Sequence, residues 1–248
     1  MRRHFVEGNQ LFYFGDGWTA VTRWDEDDAY REGLEKVDGS KAVDFVGVLR
    51  GQLVIMEMKD YRGRTREKDD ALRVEFHSKV RDTVAALVGE YRTESHRRCK
   101  PFVDALLDRQ KKVQICLWLE EDRQSDLLDA SGSRRKARRQ RRRVAQNTRT
   151  QQSKQYVKWL HAGTITTNRD DLSDKPISGL EVKELPTQLR ARGERVMEFL
   201  RERRLRVPAN VKEELDRFVS QGSREKIDDW ICRAWEVNEA AELLQRRR

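Results

Sequence analysis

The sequence predicts an α/β fold: a mixed sheet flanked by helices, followed by a C-terminal helical bundle. Two observations carry this expectation. Residues 41–63, "KAVDFVGVLRGQLVIMEMKDYRG", hold two apolar, β-branched runs joined by Arg50-Gly51, which is the pattern of strand, tight turn, strand. Helical periodicities lie on either side of this hairpin, and a further apolar run, "KVQICLWLE", follows them. The order helix, hairpin, helix, strand implies a sheet with helices on both faces.

The elements follow in order. "QLFYF" (Gln10 to Phe14) and "TAVTRW" (Thr19 to Trp24) read as strands around a Gly-Asp-Gly turn. Asp25 then caps a short helix to about Val37, with Tyr30, Leu34 and Val37 on one face. After the hairpin, Val80, Val84, Leu87 and Tyr91 mark a long helix over about Ala71 to Tyr91. Pro101 opens a second helix to Leu107, at the position where a helix tolerates proline. Lys112 to Glu120 is a buried strand, and "GTITTN" and "GLEVKEL" are candidate edge strands.

From Pro186 the sequence predicts three amphipathic helices, broken at Val207-Pro208 and Gly222-Ser223. Their stripes are Leu189, Val196, Met197 and Leu200; then Val211, Leu215, Phe218 and Val219; then Ile227, Trp230, Ile231, Ala234 and Trp235. These stripes exceed what three short helices need among themselves. Residues 187–248 therefore read as a docking region for a homodimer or larger assembly, with simple packing on the sheet as the alternative, and residues 1–186 as the main domain with a basic arm at about 131–162.

The 248 residues carry a net charge of +9, yet eight positive charges sit in one decapeptide, "RRKARRQRRR" (Arg134 to Arg143). Without those eight the chain stands at +1. The basicity is a local device that points to a polyanionic partner. The run has no apolar stripe, so it is either a solvated helix or a disordered arm. Cys99, Cys116 and Cys232 stand far apart without metal-ligand or CxxC spacing, as in a reducing compartment. No apolar run approaches the length of a membrane span and no secretory signal is present, so the expectation is a cytoplasmic protein that uses no membrane.

Three charges interrupt the apolar hairpin: Asp44, Glu57 and Lys59. Turning the chain on Arg50-Gly51 pairs Leu49 with Gln52 and Val48 with Leu53, and counting outward sets Asp44 opposite Glu57. Alternation then places Asp44, Val46 and Val48 on one face with Leu53, Ile55, Glu57 and Lys59. Carboxylates facing one another at ~5 Å destabilise a sheet unless something compensates. Mg²⁺ (or Mn²⁺) does so naturally, taking one or two carboxylates and completing its shell with water and phosphate. A neighbouring lysine then stabilises developing charge or positions the nucleophile. A salt bridge between Lys59 and either carboxylate at a strand end is the plainer alternative.

Asp44, twelve intervening residues and then Glu57-Met58-Lys59 resembles the D…(D/E)xK signature of the PD-(D/E)XK nuclease superfamily, although Val43 stands where the family name has proline. The element order over roughly residues 20–120 is also similar to that family's common core. The resemblance implies a restriction-endonuclease-like fold. It implies Asp44, Glu57 and the Met58 carbonyl as metal ligands, Lys59 as the catalytic lysine, and an Mg²⁺- or Mn²⁺-dependent endodeoxyribonuclease, favouring DNA over RNA. Such domains serve restriction, phage defence, repair and recombination. Members often add an acid from the first helix, for which Glu26, Glu32 and Glu35 are the candidates. The rival reading is an inert nucleic-acid-binding subunit that keeps the fold as scaffold.

Further candidates for gripping DNA are Arg62, Arg64 and Arg66 in the loop after the catalytic strand, and His77, Lys79 and Arg81 on the following helix. His77 is either a satisfied helical histidine or one aimed at the active centre. In the basic run, Arg134, Arg135, Arg138, Arg139, Arg141, Arg142 and Arg143 have no interleaved aromatics, so they suit phosphate contact and not base stacking. The alternative for this run is a solubilising or partner-docking tail. Replacing Arg138, Arg139, Arg141, Arg142 and Arg143 with glutamine should flatten the salt dependence of duplex binding, by about 0.9 in log–log slope for each phosphate that is no longer neutralised. Salt titrations on two unrelated duplexes measure it, and an unchanged slope would assign the run to another partner.

Overall fold

The computed structural model describes residues 3–62, 69–93, 97–120, 147–169, 177–202 and 209–245. In chain order its strands are β1 (His4–Glu7), β2 (Gln10–Phe14), β3 (Trp18–Arg23), β4 (Phe45–Leu49), β5 (Gln52–Asp60), β6 (Val113–Glu120), β7 (Ala162–Thr167) and β8 (Leu180–Glu184). The helices are α1 (Asp28–Glu32), α2 (Asp69–Thr93), α3 (Lys100–Leu107), α4 (147–156), α5 (Leu189–Glu202), α6 (Ala209–Ser220) and α7 (Arg224–Gln245). Among the described residues no helix is long and apolar enough to cross a membrane.

The chain divides into two compact units, Gly17–Ser178 and Met1–Asp16 with Gly179–Arg248. This differs from the boundary at 186 that the sequence suggests. The strand of Gln10 to Phe14 belongs with the C-terminal helices, because β2 pairs with β1 on one side and β8 on the other.

The larger unit is built on a five-stranded mixed sheet in the order β3-β4-β5-β6-β7. The first two pairings are antiparallel and the last two parallel. "GTITTN" is thus an edge strand of this sheet, β7, while "GLEVKEL" supplies β8 to the other. Arg50 and Gly51 both take positive φ, 50° and 76°, as a two-residue hairpin turn of the I′ kind demands. The turn fixes Leu49 opposite Gln52, Val48 opposite Leu53 and Phe45 opposite Met56.

One sheet face, with Val46, Val48, Leu53, Ile55, Ile115 and Leu117, shares a core with Leu72, Phe76, Val80 and Leu87 of α2 and Phe102 and Val103 of α3. Ala29 and Tyr30 of α1 join the same core. These helices cover one face, where the element order suggested both. The segment expected as a single helix from Asp25 is broken into a 3₁₀ turn (Trp24–Glu26), α1 and a second 3₁₀ turn (Leu34–Lys36). Its cap is Asp27, whose side chain accepts from the Ala29 N–H at 3.0 Å, so Asp25 is released from capping.

In the smaller unit α5, α6 and α7 bury Val196, Met197, Leu200, Leu215, Ile227, Trp230 and Ile231 together with Val6, Leu11 and Leu185. The stripes that suggested a docking region are covered inside this unit by its own three-stranded sheet. Val211 and Trp235 fall outside the described side chains. Arg192, fully buried, donates to Asp228 Oδ1 (2.8 and 3.1 Å), Asn9 Oδ1 (3.0 Å) and the Gly8 carbonyl (3.1 Å), tying α5 to α7 and to the β1–β2 turn.

A side chain at left-handed φ costs roughly 1–2 kcal/mol, and asparagine pays less of it than arginine. Arg50→Asn should therefore raise stability by about 0.5–1 kcal/mol in urea melts, with the hairpin register unchanged. A loss of stability would show that the arginine itself holds the turn.

Candidate active site

The hairpin register brings the charges together. β4 begins at Phe45, paired with Met56, and one step further out Asp44 meets the level of Glu57. Asp44 Oδ2 accepts from the Met58 N–H at 2.5 Å, and the Asp44 carbonyl accepts from the Trp24 N–H at 2.8 Å. The approach to Asp44 is held from α2: Asp82 Oδ2 accepts from the Lys41 N–H (3.1 Å) and Thr83 Oγ1 from the Val43 N–H (3.3 Å). Asp44 is thus fixed by backbone partners on both sides.

Glu57 is 1% exposed. Its Oε1 accepts from Lys79 Nζ at 2.6 Å and lies 3.5 Å from Lys59 Nζ, which itself donates to Glu75 Oε1 at 2.9 Å. Its Oε2 is buried and has no hydrogen-bond partner. Burial first, and the Asp44 carboxylate second, push Glu57 up to about 8, against the pull of Lys79. Burial also raises Asp44. Burial pulls both ammonium groups down, but Glu75 and Glu57 hold Lys59 above its ordinary range, and Glu57 and Asp44 do the same for Lys79.

A third acid stands here, at a position the sequence suggests as a cap. Asp25 follows Trp24, the first residue after β3, whose N–H binds the Asp44 carbonyl; burial, with the charge of Asp44 added, raises Asp25 to about 6. None of the three acids expected from the first helix is buried, although Glu26 is near enough to add to the rise of Asp25. Glu26 is half-exposed beside Arg23 at 3.2 Å, and Glu32 and Glu35 are exposed. Strand register does not signal Asp25: counting outward from Arg23 opposite Phe45 sets Trp24 level with Asp44 and Asp25 level with Val43, and the chain leaves the strand in a 3₁₀ turn at Trp24–Glu26.

The candidate DNA contacts scatter. Lys79 is engaged with Glu57, and Arg62 folds onto Asp60 at 2.8 and 2.6 Å. Arg81 donates from Nε to Asp82 Oδ1 at 2.7 Å and remains two-thirds exposed, at 67%. His77 lies about half a turn of α2 from Glu75 and Lys79 and stacks on Tyr156, ring centroids 4.4 Å apart, so it is not aimed at the carboxylates. Arg64, Arg66 and the run from Arg134 to Arg143 lie outside the described residues.

No family model, curated protein or solved structure matches the chain. Among the described residues no three His, Cys, Asp or Glu side chains gather as a metal cage. The facing pair Asp44 and Glu57, with a buried Glu57 Oε2 lacking a partner, nevertheless suits a cation such as Mg²⁺, which needs only one or two protein carboxylates.

Between about pH 4.5 and 8 the folded chain keeps a proton on Glu57 that the unfolded chain releases. The folded state binds more protons, so stability falls as pH rises through that window, by at most about 1.4 kcal/mol per unit for one proton. In chelator, Glu57→Gln should lack this slope and gain on the parent chain from pH 5 to pH 8. Parallel pH profiles in urea melts would refute the placement of that proton.

Proposed function

We propose that this chain is a divalent-metal-dependent nuclease that hydrolyses phosphodiester bonds in DNA, with a core of the restriction-endonuclease-like, PD-(D/E)XK type. The observation that carries the reading is the pair of facing acids, half-buried Asp44 and buried Glu57, with Lys59 two residues on along the same strand face and Glu57 Oε2 without a partner. The strand order gives it support: an antiparallel β3-β4-β5 run continued by parallel β6, with α2 and α3 between β5 and β6, is similar to that family's core.

Asp44, Glu57 and the Met58 carbonyl are the groups that would hold the cation, which when bound supplies a polarised phosphoryl oxygen and a water of lowered pKa. Lys59 contributes as a cation. Its ammonium, kept protonated by Glu75 and Glu57, cannot serve as a base near neutral pH, so its role is to stabilise the negative charge that develops on phosphate. Asp25 adds a third carboxylate to the same electrostatic cluster.

One observation favours the inert-subunit reading. Lys79, at 2.6 Å from Glu57, already gives the buried carboxylate a counter-charge without any metal. The two readings part on simple measurements. Incubation with plasmid, single-stranded DNA and RNA, in Mn²⁺ or Mg²⁺ against chelator, should give metal-dependent cleavage of DNA. Lys59→Ala should reduce that cleavage by about 10²–10³-fold, as the loss of one transition-state charge partner does elsewhere. Lys79→Gln removes a like charge from the cation's surroundings, so calorimetry should record tighter Mn²⁺ binding. Absence of both cleavage and Mn²⁺ heat would decide for the scaffold.

A further inference from the structure

On the flank of α2 away from the carboxylates lies an open groove of about 460 Å³, lined by Val74, His77, Ser78, Arg81, Tyr156 and Trp159. We propose that this groove is a base-stacking site for single-stranded nucleic acid, with the Tyr156 and Trp159 rings taking bases and Arg81 taking an adjacent phosphate. The proposal rests on the reading of nucleic acid as the substrate, and it names the form of strand that is held.

Burial cannot account for the aromatic surface. Among the described residues the exposed large apolar side chains include Val74 (64%), Tyr156 (44%) and Trp159 (58%), and these three line this one groove. Leaving an indole in water forgoes the stabilisation that its burial would bring. The rings are also held in place. Trp159 Nε1 donates to the Tyr156 carbonyl at 3.0 Å, and Tyr156 lies on His77 with an interplanar angle of 20°. Burial holds the His77 imidazole below its ordinary range, so it backs Tyr156 as an uncharged flat ring at neutral pH. Pre-set aromatic faces accept any base, because every base has a π-face.

The polar groups decide the class of occupant. Among the described residues no carboxylate lines the groove, and Arg81, anchored through Nε by Asp82, keeps most of its side chain exposed beside the rings. Guanidinium next to aromatic faces matches alternating phosphate and base, whereas a purely apolar partner would desolvate the exposed part of the Arg81 guanidinium that Asp82 does not engage. Lys154 and Lys158, from the segment that carries Tyr156, are exposed and add the same sign of charge. The groove and the facing acids lie on different flanks of one helix, about 10 Å apart, so a single strand could engage both.

The test is fluorescence anisotropy in chelator with a labelled oligothymidine and with a labelled duplex, so binding is read without cleavage. Tyr156→Ala and Trp159→Ala should each weaken the single strand by about ten-fold, the loss expected for one stacked base, and leave the duplex unchanged. Trp159→Phe should retain most of the affinity. Arg81→Gln should lower the salt slope on the single strand by about 0.7. Unchanged single-strand affinity in both alanine variants overturns the proposal. So does light scattering that shows a self-associated parent chain dissociated by Trp159→Ala, which would make the face a protein contact. A chain that passes this binding test but cuts no DNA would fail the nuclease reading alone.

Discussion

Glu57 is the constraint on which the larger unit depends. A carboxylate that is almost inaccessible and faces Asp44 across an apolar hairpin can exist only if charge of the other sign is delivered to it. The delivery comes from α2 through Lys79 and from the strand itself through Lys59. Both cations crowd one oxygen, Oε1, and leave Oε2 bare. A pair evolved only for stability gains nothing from that asymmetry, since a buried acceptor without a partner costs roughly 1–3 kcal/mol. The uneven satisfaction of Glu57 is what separates this cluster from an ordinary buried ion pair.

The same asymmetry explains how firmly Asp44 is held. Its carboxylate takes a main-chain N–H from β5, its carbonyl takes one from Trp24, and Asp82 and Thr83 bind the chain just before it. Every one of these bonds involves backbone, so the hold on Asp44 does not depend on paired side-chain charges. The position of Asp44 is therefore set by hairpin register and by the seating of α2, and not by attraction to any cation. Once Glu57 gives up its proton, the protein holds two like charges face to face by geometry; burial raises the proton affinity of both acids, and the charge of Asp44 adds to it at Glu57.

The hairpin and its facing acids were legible because a two-residue turn leaves one register, and one register determines every partner outward from it. Other features depended on distant residues. Asp25 looked like a cap, since an acid before a helical stretch usually is one, but Asp27 takes that role and frees Asp25 for the cluster. Lys79 looked like a phosphate ligand, because nothing local says that the turn of α2 it occupies faces Glu57. The smaller unit joins strands from the first sixteen residues to helices from the last seventy, so apolar stripes with no visible cover near them in sequence suggested a partner. β1 was missed for the same reason: four residues, His4–Glu7, gain meaning only once β2 and the helices are beside them.

Helix α2 shows how one element serves three surroundings. Leu72, Phe76, Val80, Thr83 and Leu87 recur at helical spacing and turn inward. Glu75, Lys79 and Asp82 form a second row beside that stripe, and each meets a group on the hairpin or on the chain leading into it. Val74, His77, Ser78 and Arg81 form a third row, turned away from the buried stripe, and line the aromatic groove. A helix with a single buried face would show one apolar stripe against a uniform polar background. Here the polar rows are themselves specified, one by buried charge and one by exposed rings, so the apolar stripe shows in the sequence of α2 while the two polar rows beside it do not.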